Sequence, residues 1–561
     1  MTGPGVIPFI VEALKKNPEL AVFLTLAVGF VFGRLRIGSF QLGNVVGTLL
    51  AGVLIGQLGI DVPPAVKLVF FDLFLFATGY KVGPQFIRGL GRNALPQVAV
   101  TVVLCVTSLL VTLAAAKVLR YDPGTAAGLL AGAFTESTVI GTAGETIARL
   151  DRPEEEREKF QNNIPVAYAV SYLVGTGFVV YFLSSLAPKL LKVDLKEESK
   201  KLEVELRGGP GQEVFAQAEW VRRAYQIDDK AWAGRMVSAL EKFFAPERVF
   251  VERIRRGGEI LVAEPTTTLE KGDVVAIAAF RRVVAKGIPI GVEIEDEALL
   301  AYPIDVVDVV LTNRSLADRT LAEIAQNHAR GVILVQLVRG GEEIPFGPST
   351  VLNRGDLLRI SGSREDVERT GAAFGYVETP SKATDVVFVG LGIFVGGLVG
   401  LLSVNIAGLP LSLTASGGAL VMGLVFGWLR SVRPTFGRIP EAALWVFDTV
   451  GLAVFIGVVG LSAGPGFVSG LRQTGPSLLV AGLLVALTPH VAAVLVGRYV
   501  LKMNPVILLG ACSGAGTVTA ALRAIQDEAQ SKLPVLGYTV PYAVGNILLT
   551  AWGPVIVLLT K

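Results

Sequence analysis

Two short segments hold the residues best suited to chemistry. The first reads Thr135-Glu136-Ser137-Thr138, followed by Gly141 and Thr142. The second reads Ser513-Gly514-Ala515-Gly516-Thr517, followed by Thr519. Hydroxyls and backbone amides freed at a helix break can bind a carboxylate, and a half-helix N-terminus adds partial positive charge. Close packing through small residues, with interhelical hydrogen bonds, is the competing structural reading. Glu136 is costly to bury as a charge, so it is expected to be protonated, paired or in a wet cavity. There it could couple a proton or cation; at the mouth of the segment it would simply be solvated.

Other ionisable groups stand in or beside apolar stretches. Lys81 precedes Gly83-Pro84 and suits either neutralisation of an anion or snorkelling to the surface. Arg523 ends the second polar segment, as a carboxylate clamp or an anchor. Asp72 and Asp448 read as interfacial residues, and His490 as a hydrogen-bonded packing residue. The Gly-Pro pairs Gly83-Pro84 and Gly464-Pro465 are expected to break their helices. The candidate substrate-binding set is therefore Thr135, Glu136, Ser137, Thr138, Gly141, Thr142, Ser513, Gly514, Ala515, Gly516, Thr517, Thr519, Lys81 and Arg523.

No enzymatic constellation accompanies them. The chain has no Gly-x4-Gly-Lys-Ser/Thr loop, so ATP-driven transport by this chain alone is not expected. Its two cysteines, Cys105 and Cys512, lie in separate apolar segments and read as core thiols. Two histidines, His328 and His490, cannot form a metal cluster. Neither catalytic residues, metal nor cofactor are expected. The net charge of +3 comes without a basic tract, so no nucleic-acid partner is expected.

The elements that must position the polar segments are apolar. Charged residues make up 18% of the 561 residues, below the roughly 25% of soluble domains. Stretches such as 20–33, 37–60, 93–116, 160–188, 386–429, 449–471 and 533–560 lack Asp, Glu, Lys and Arg. Most reach the ~20 residues that a membrane-crossing helix needs. Spans are predicted near 18–34, 42–60, 66–84, 96–117 and 164–187. In the second half they fall near 385–404, 412–429, 445–463, 477–497 and 535–559, with Asn405–Pro410 as a turn. No basic n-region with a cleavage site stands at the start, so the first span is expected to serve as the insertion signal.

The halves match each other in order. Leu42–Leu58 matches Leu413–Leu429, placing Gly47, Gly52 and Gly56 on Gly418, Gly423 and Gly427. Gly79–Leu90 and Gly460–Leu471 both read G-x3-G-P-x-F-x2-G-L. Ala167–Thr176 resembles Pro541–Thr550, and the polar segments pair as Gly132–Thr142 with Gly510–Ala520. The odd segments, 124–147 and 504–523, make poor lipid-facing helices and suit re-entrant or broken helices lining a cavity. If they turn back and the N-terminus is outside, most uncompensated Lys and Arg fall on the cytoplasmic side. Five spans is an odd number, so the halves would be inverted, with half-helix ends at the midplane.

The fold class expected is thus an α-helical membrane protein: an inverted repeat of two five-span halves, each with a re-entrant hairpin, plus two inserted soluble α/β domains. Its domains would be 1–190, 205–290, 295–378 and 383–561. Residues from about 190 to 382 are charged and strand-patterned, and belong in the cytoplasm. Two units there share a strand, a Gly-Gly turn and a Lys/Arg-Gly-Asp turn into another strand. They resemble the C-terminal subdomain of the TrkA/RCK regulators, well for 295–375 and more weakly for 205–290. That resemblance implies pairing and, in many members, a small effector; a scaffold without ligand is the alternative.

The whole combination resembles the aspartate–alanine exchanger family of bacteria. Leu73–Phe86 (LFLFATGYKVGPQF) and Phe134–Glu145 (FTESTVIGTAGE) carry the likeness most closely. The resemblance implies electrogenic exchange of small anionic amino acids or dicarboxylates across the inner membrane. Analogy with other inverted-repeat carriers suggests an elevator-like motion against the scaffold of a homodimer. The alternative is an RCK-regulated cation channel or cation transporter. No T-V-G-Y-G-like carbonyl ladder supports it. A membrane sensor without transport would not need two polar segments.

Overall fold

The computed structural model describes the chain apart from residues 1–5, 38–39, 42, 90–93, 207–219, 228–231, 246, 302–303, 340–341, 379–382, 407–408 and 434–436. It divides into two compact units, Met1–Lys201 with Gly340–Glu342 and Ser381–Lys561, and Leu202–Arg339 with Glu343–Pro380.

The first half opens with α1 (Val6–Lys16) and α2 (Pro18–Gly33), which meet at 112°. Pro18 can start α2 because the first turn of a helix leaves its amides unpaired anyway. A small antiparallel hairpin, β1 (Arg36–Ile37) and β2 (Phe40–Gln41), leads to α3 (Asn44–Gly56). The long α4 (Pro64–Gly89) and α5 (Leu95–Leu119) follow. Then come two short helices, α6 (Pro123–Ala133) and α7 (Thr138–Ala148). α8 (Glu154–Tyr181) continues through a π-turn at Phe182–Leu186 into α9 (Ala187–Leu191), and α10 (Leu195–Leu206) ends the half.

The second unit contains two lobes of the same design. The first has β3 (Trp220–Ile227), α11 (Val237–Phe243), β4 (Val249–Arg256), β5 (Glu259–Val262), β6 (Val274–Phe280), α12 (Arg281–Ala285) and β7 (Gly291–Ile294). α13 (Glu297–Leu300) connects it to β8 (Ile304–Leu311), α14 (Leu321–His328), β9 (Val332–Arg339), β10 (Glu342–Glu343), β11 (Leu357–Ser363), α15 (Arg364–Phe374) and β12 (Gly375–Glu378). The strand orders are β5-β4-β6-β3-β7 and β10-β9-β11-β8-β12, which correspond strand for strand.

The Lys/Arg-Gly-Asp turns explain why both sequences fold alike. Gly272 and Gly355 adopt φ of 91° and 86°, conformations that a side chain resists. The aspartates that follow are buried. Asp273 takes a bidentate pair from Arg256 (2.9 and 2.7 Å), and Asp356 the same from Arg339 (2.9 and 2.6 Å). The lobes are clasped by two arginines. Arg330 reaches Glu241 (2.8 and 3.1 Å) and the carbonyls of Val251 and Ala263. Arg248 donates to the carbonyls of Ala329 and Val332, and burial pushes its guanidinium down to about 10.

The second half has α16 (Val386–Gly400), a hairpin of β13 (Ser403–Ile406) and β14 (Leu409–Ser412), and α17 (Thr414–Val432). The expected Asn405–Pro410 turn lies in this hairpin, and its residues 407–408 fall outside the described ones. α18 (Glu441–Trp445) runs through a π-turn into α19 (Gly451–Leu495). α20 (Pro505–Ala515), α21 (Thr519–Ala529) and α22 (Val535–Thr560) complete the chain. Large apolar residues such as Phe23, Leu110, Val118, Phe394 and Val480 are exposed, a surface suited to lipid rather than water.

Two expectations need correction. The spans predicted at 445–463 and 477–497 belong to one uninterrupted helical run, Glu441–Val500. Among the described residues, five runs are long and apolar enough to cross a membrane, or six counting the bent α1–α2 pair. Others of the ten are shorter: α3 has 13 residues and α16 has 15. Nor do the Gly-Pro pairs break their helices: Pro84 lies inside α4 and Pro465 inside α19.

The reason lies in the neighbouring glycines. A proline leaves the carbonyl four residues earlier without its helical partner, here Tyr80 and Leu461. The Tyr80 carbonyl lies against Gly427, and the Leu461 carbonyl against Gly56, closer than any Cβ would permit. The flanking glycines pack the same way. A Cβ built on Gly52 would sit 3.1 Å from the Gly460 Cα, and one on Gly423 would sit 3.1 Å from the Gly79 Cα. So α3 packs on α19, and α4 on α17, through the glycine motifs that the two halves share. Backbones this close gain dispersion contacts without help from a hydrophobic effect, which lipid does not supply.

Candidate functional site

α6–α7 and α20–α21 are hairpins of 11-residue helices, each about 16 Å long at 1.5 Å per residue. Their starts are built alike. The side chain of Asp122 caps α6 by accepting from the amides of Gly124 and Thr125, and Pro123 follows it. Asn504 caps α20 by accepting from the Val506 amide, and Pro505 follows it.

The hairpins meet at their tips. Thr135 and Thr517 both hold left-handed backbones, φ 53° and 55°. A β-branched residue there is strained, and surrounding contacts must hold it. Thr135 Oγ1 donates to the Thr517 carbonyl at 3.1 Å, and Thr517 Oγ1 donates to the Phe134 carbonyl at 2.6 Å. Ser137 Oγ lies 2.9 Å from Tyr168 Oη, and Thr519 Oγ1 lies 2.9 Å from Tyr538 Oη. Tyr168 packs on Tyr172, and Tyr538 on Tyr542. Gly132 abuts the Tyr168 carbonyl, as Gly514 abuts that of Tyr538. These contacts correct the segment pairing read from sequence by one helical turn. Gly132 corresponds to Gly514, not Gly510, and Tyr168 to Tyr538.

Glu136 is 4% exposed. Its Oε1 accepts from the Thr138 hydroxyl (2.6 Å) and amide (3.4 Å). Thr550 Oγ1 lies 2.5 Å from Thr138 Oγ1, and Thr142 Oγ1 donates to the Thr550 carbonyl at 3.1 Å. Glu136 Oε2 is buried without a hydrogen-bond partner among the described residues. In the second hairpin Ser513 Oγ donates to the Val518 carbonyl at 2.9 Å. The Ala515 carbonyl lies against Gly545, and Gly141 against the Phe71 ring. His490 is fully buried, stacks on Phe134 and bonds the Ala486 carbonyl through Nδ1; its Nε2 points at Gly516.

Thirteen of the fourteen candidates therefore sit on the two hairpins, twelve of them at or next to the tips. Lys81 lies elsewhere, and Arg523 lies away from the tip of its hairpin. Lys81 is half-exposed and pairs with Asp448 at 2.8 Å. Arg523 is exposed on the second turn of α21, and no described hydrogen bond or ion pair ties it to either tip. Asp72, read as interfacial, accepts from Ser416 at 2.5 Å. Sequence reasoning missed Tyr168, Tyr538 and Thr550 because each lies in an apolar run. The match of Ala167–Thr176 with Pro541–Thr550 was the available signal, since residues of both helices line the tips. Cys105 and Cys512 are buried free thiols.

Apolar helices, glycine-mediated packing and paired polar hairpins define a multi-pass membrane transporter rather than an enzyme. Comparison with known families agrees. Residues 21–188 and 388–558 match the Asp-Al_Ex family, described as "Predicted Permease Membrane Region", and residues 306–375 match the TrkA-C domain. The chain is 42% identical to an uncharacterized transporter of Shewanella oneidensis, over 97% of this chain and 98% of that one. It is also 42% identical to one from Bradyrhizobium diazoefficiens and 40% identical to one from Bordetella parapertussis, each over 98% of both chains. The chain belongs to the Asp-Al_Ex permease family. The TrkA-C match covers the second soluble lobe; the first has the same strand order without such a match.

Proposed function

We propose that this protein is a secondary exchanger of carboxylate-bearing amino acids, aspartate for alanine or a related carboxylate pair, with its substrate site between the two hairpin tips. The crossed hydrogen bonds of Thr135 and Thr517 carry this reading. They bring two helix breaks, their free backbone groups and a cluster of hydroxyls to one buried point, an arrangement that can replace the hydration of a small anion.

In this reading the halves are inverted repeats and the hairpins are re-entrant from opposite faces. Two hairpins of about 16 Å laid tip to tip span roughly the 30 Å of the hydrocarbon core. Substrate parts the tips from one side, and an elevator-like movement of the hairpins against a dimeric scaffold carries it across. Exchange of ligands of different charge is electrogenic. We place the protein in the bacterial inner membrane, with residues of about 190–382 in the cytoplasm. The soluble segments 205–290 and 295–378, which lie in sequence between the transmembrane segments 1–190 and 383–561, would bind a small effector or serve as a dimerisation or scaffolding module without ligand.

Counterflow in proteoliposomes tests the function. Liposomes loaded with aspartate or alanine should accumulate labelled aspartate. Potassium flux without any carboxylate exchange would favour the cation-transport alternative and refute the exchanger.

A further inference from the structure

We infer that Glu136 recognises the α-ammonium group of the substrate while the amide end of α21 receives its α-carboxylate, so the site selects 2-amino acids over carboxylates that lack the amine. This inference rests on the substrate site proposed between the tips.

The two hairpins are alike in backbone and unlike at one position. α7 starts beside its own anion, because Glu136 Oε1 accepts the Thr138 amide and hydroxyl. The corresponding position in the second hairpin is Val518, which has no side-chain oxygen and makes no cap hydrogen bond. The amides of Thr519 and Ala520 that open α21 find no acceptor among the described hydrogen bonds. One helix start is thus already neutralised by the protein, and the other offers donors to an incoming anion.

The second observation concerns the remaining carboxylate oxygen. Glu136 is 4% exposed, and its Oε2 has no partner. In this arrangement the nearby hydroxyls donate elsewhere. Thr138 gives its one proton to Oε1, and Thr517, within reach of the Glu136 carboxyl, gives its one proton to the Phe134 carbonyl. A buried carboxylate oxygen without a donor is unfavourable. An ammonium group supplies up to three donors and the opposite charge. Alanine and aspartate share the ammonium and the α-carboxylate and differ only beyond Cα, so one site recognises both through their common part. Succinate and propionate match them in shape but lack the amine. Each would leave Oε2 unpaired and place like charges together.

The test is competition against labelled aspartate uptake in aspartate-loaded proteoliposomes. Unlabelled aspartate and alanine should compete at least about 100-fold better than succinate and propionate, since sites built to bond a polar group reject analogues lacking it strongly. Glu136→Gln should shrink that ratio at least about tenfold. If succinate competes with the wild-type protein as well as aspartate does, the inference is wrong while the exchanger stands. The same holds if Glu136→Gln elutes as folded protein and keeps the wild-type ratio. Should the variant fail to fold, the wild-type ratio alone decides. Absence of any carboxylate exchange by the wild-type protein would remove the exchanger reading, and this inference with it.

Discussion

Thr135 and Thr517 hold each other's hairpin in place, each through its own hydroxyl, and each in a left-handed backbone that its β-branched side chain disfavours. The cost of two such conformations is of order 1–3 kcal/mol each. It is tolerated because the crossed bonds and close packing over-determine the tips. Tips that are strained when joined are also easier to part, as the proposed site between them would require.

Replacing Thr517 with Val keeps the branched shape and removes the donor to the Phe134 carbonyl. The loss should be about 1 kcal/mol, the net worth of a typical hydrogen bond. A thermal shift of a few degrees is therefore expected, with the protein still folded. Exchange should fall by tenfold or more if the join positions the site. A variant with lower thermal stability and unchanged counterflow would make the Thr517 hydroxyl purely structural.

What the sequence reveals follows from how each feature is encoded. The glycine motifs at Gly52/Gly56, Gly79/Gly83 and their partners were legible as a repeat, but the Gly-Pro pairs read as helix breaks, whereas the structure uses these glycines for backbone contact between helices. The tips were legible by composition but not by register. Gly, Ser and Thr recur in both segments, so letters align equally well one turn apart; the hydroxyl contacts fix the register, and they involve Tyr168 and Tyr538 from other helices. Lys81 looked like a free cation because its partner, Asp448, lies 367 residues away. The first soluble lobe was faint, yet its Arg256–Asp273 pair and Gly272 turn reproduce those of the second.

The glycine contacts give a sharper prediction. A side chain at Gly423 would strike the Phe76 carbonyl, which belongs to rigid helical backbone. Gly423→Leu should therefore separate α4 from α17 and cost more than the 1–3 kcal/mol typical of overpacking. Gly397, whose added Cβ would meet nothing within 4 Å, is the control. Size exclusion in mild detergent should show aggregated or absent Gly423→Leu protein beside monodisperse Gly397→Leu. Equal behaviour of the two would mean that α4 and α17 do not depend on this close approach.

The soluble lobes allow a third test. Asp356 has no exposed side-chain surface and binds Arg339 through both oxygens, and it also accepts the Asn353 amide at 2.7 Å. Removing one partner of such a pair leaves the other charge buried without compensation, at about 3–5 kcal/mol. Asp356→Asn should accordingly lower the first thermal transition of the full-length protein clearly. Arg359 and Asp308 form a similar bidentate pair, but their side chains are 44% and 27% exposed, so water screens the loss. Asp308→Asn should cost no more than about 1 kcal/mol. The two variants share a lobe, a chemistry and a hydrogen-bond geometry, so the difference between them isolates burial. If both shift the transition equally, burial of the turn aspartate is not what holds the lobe.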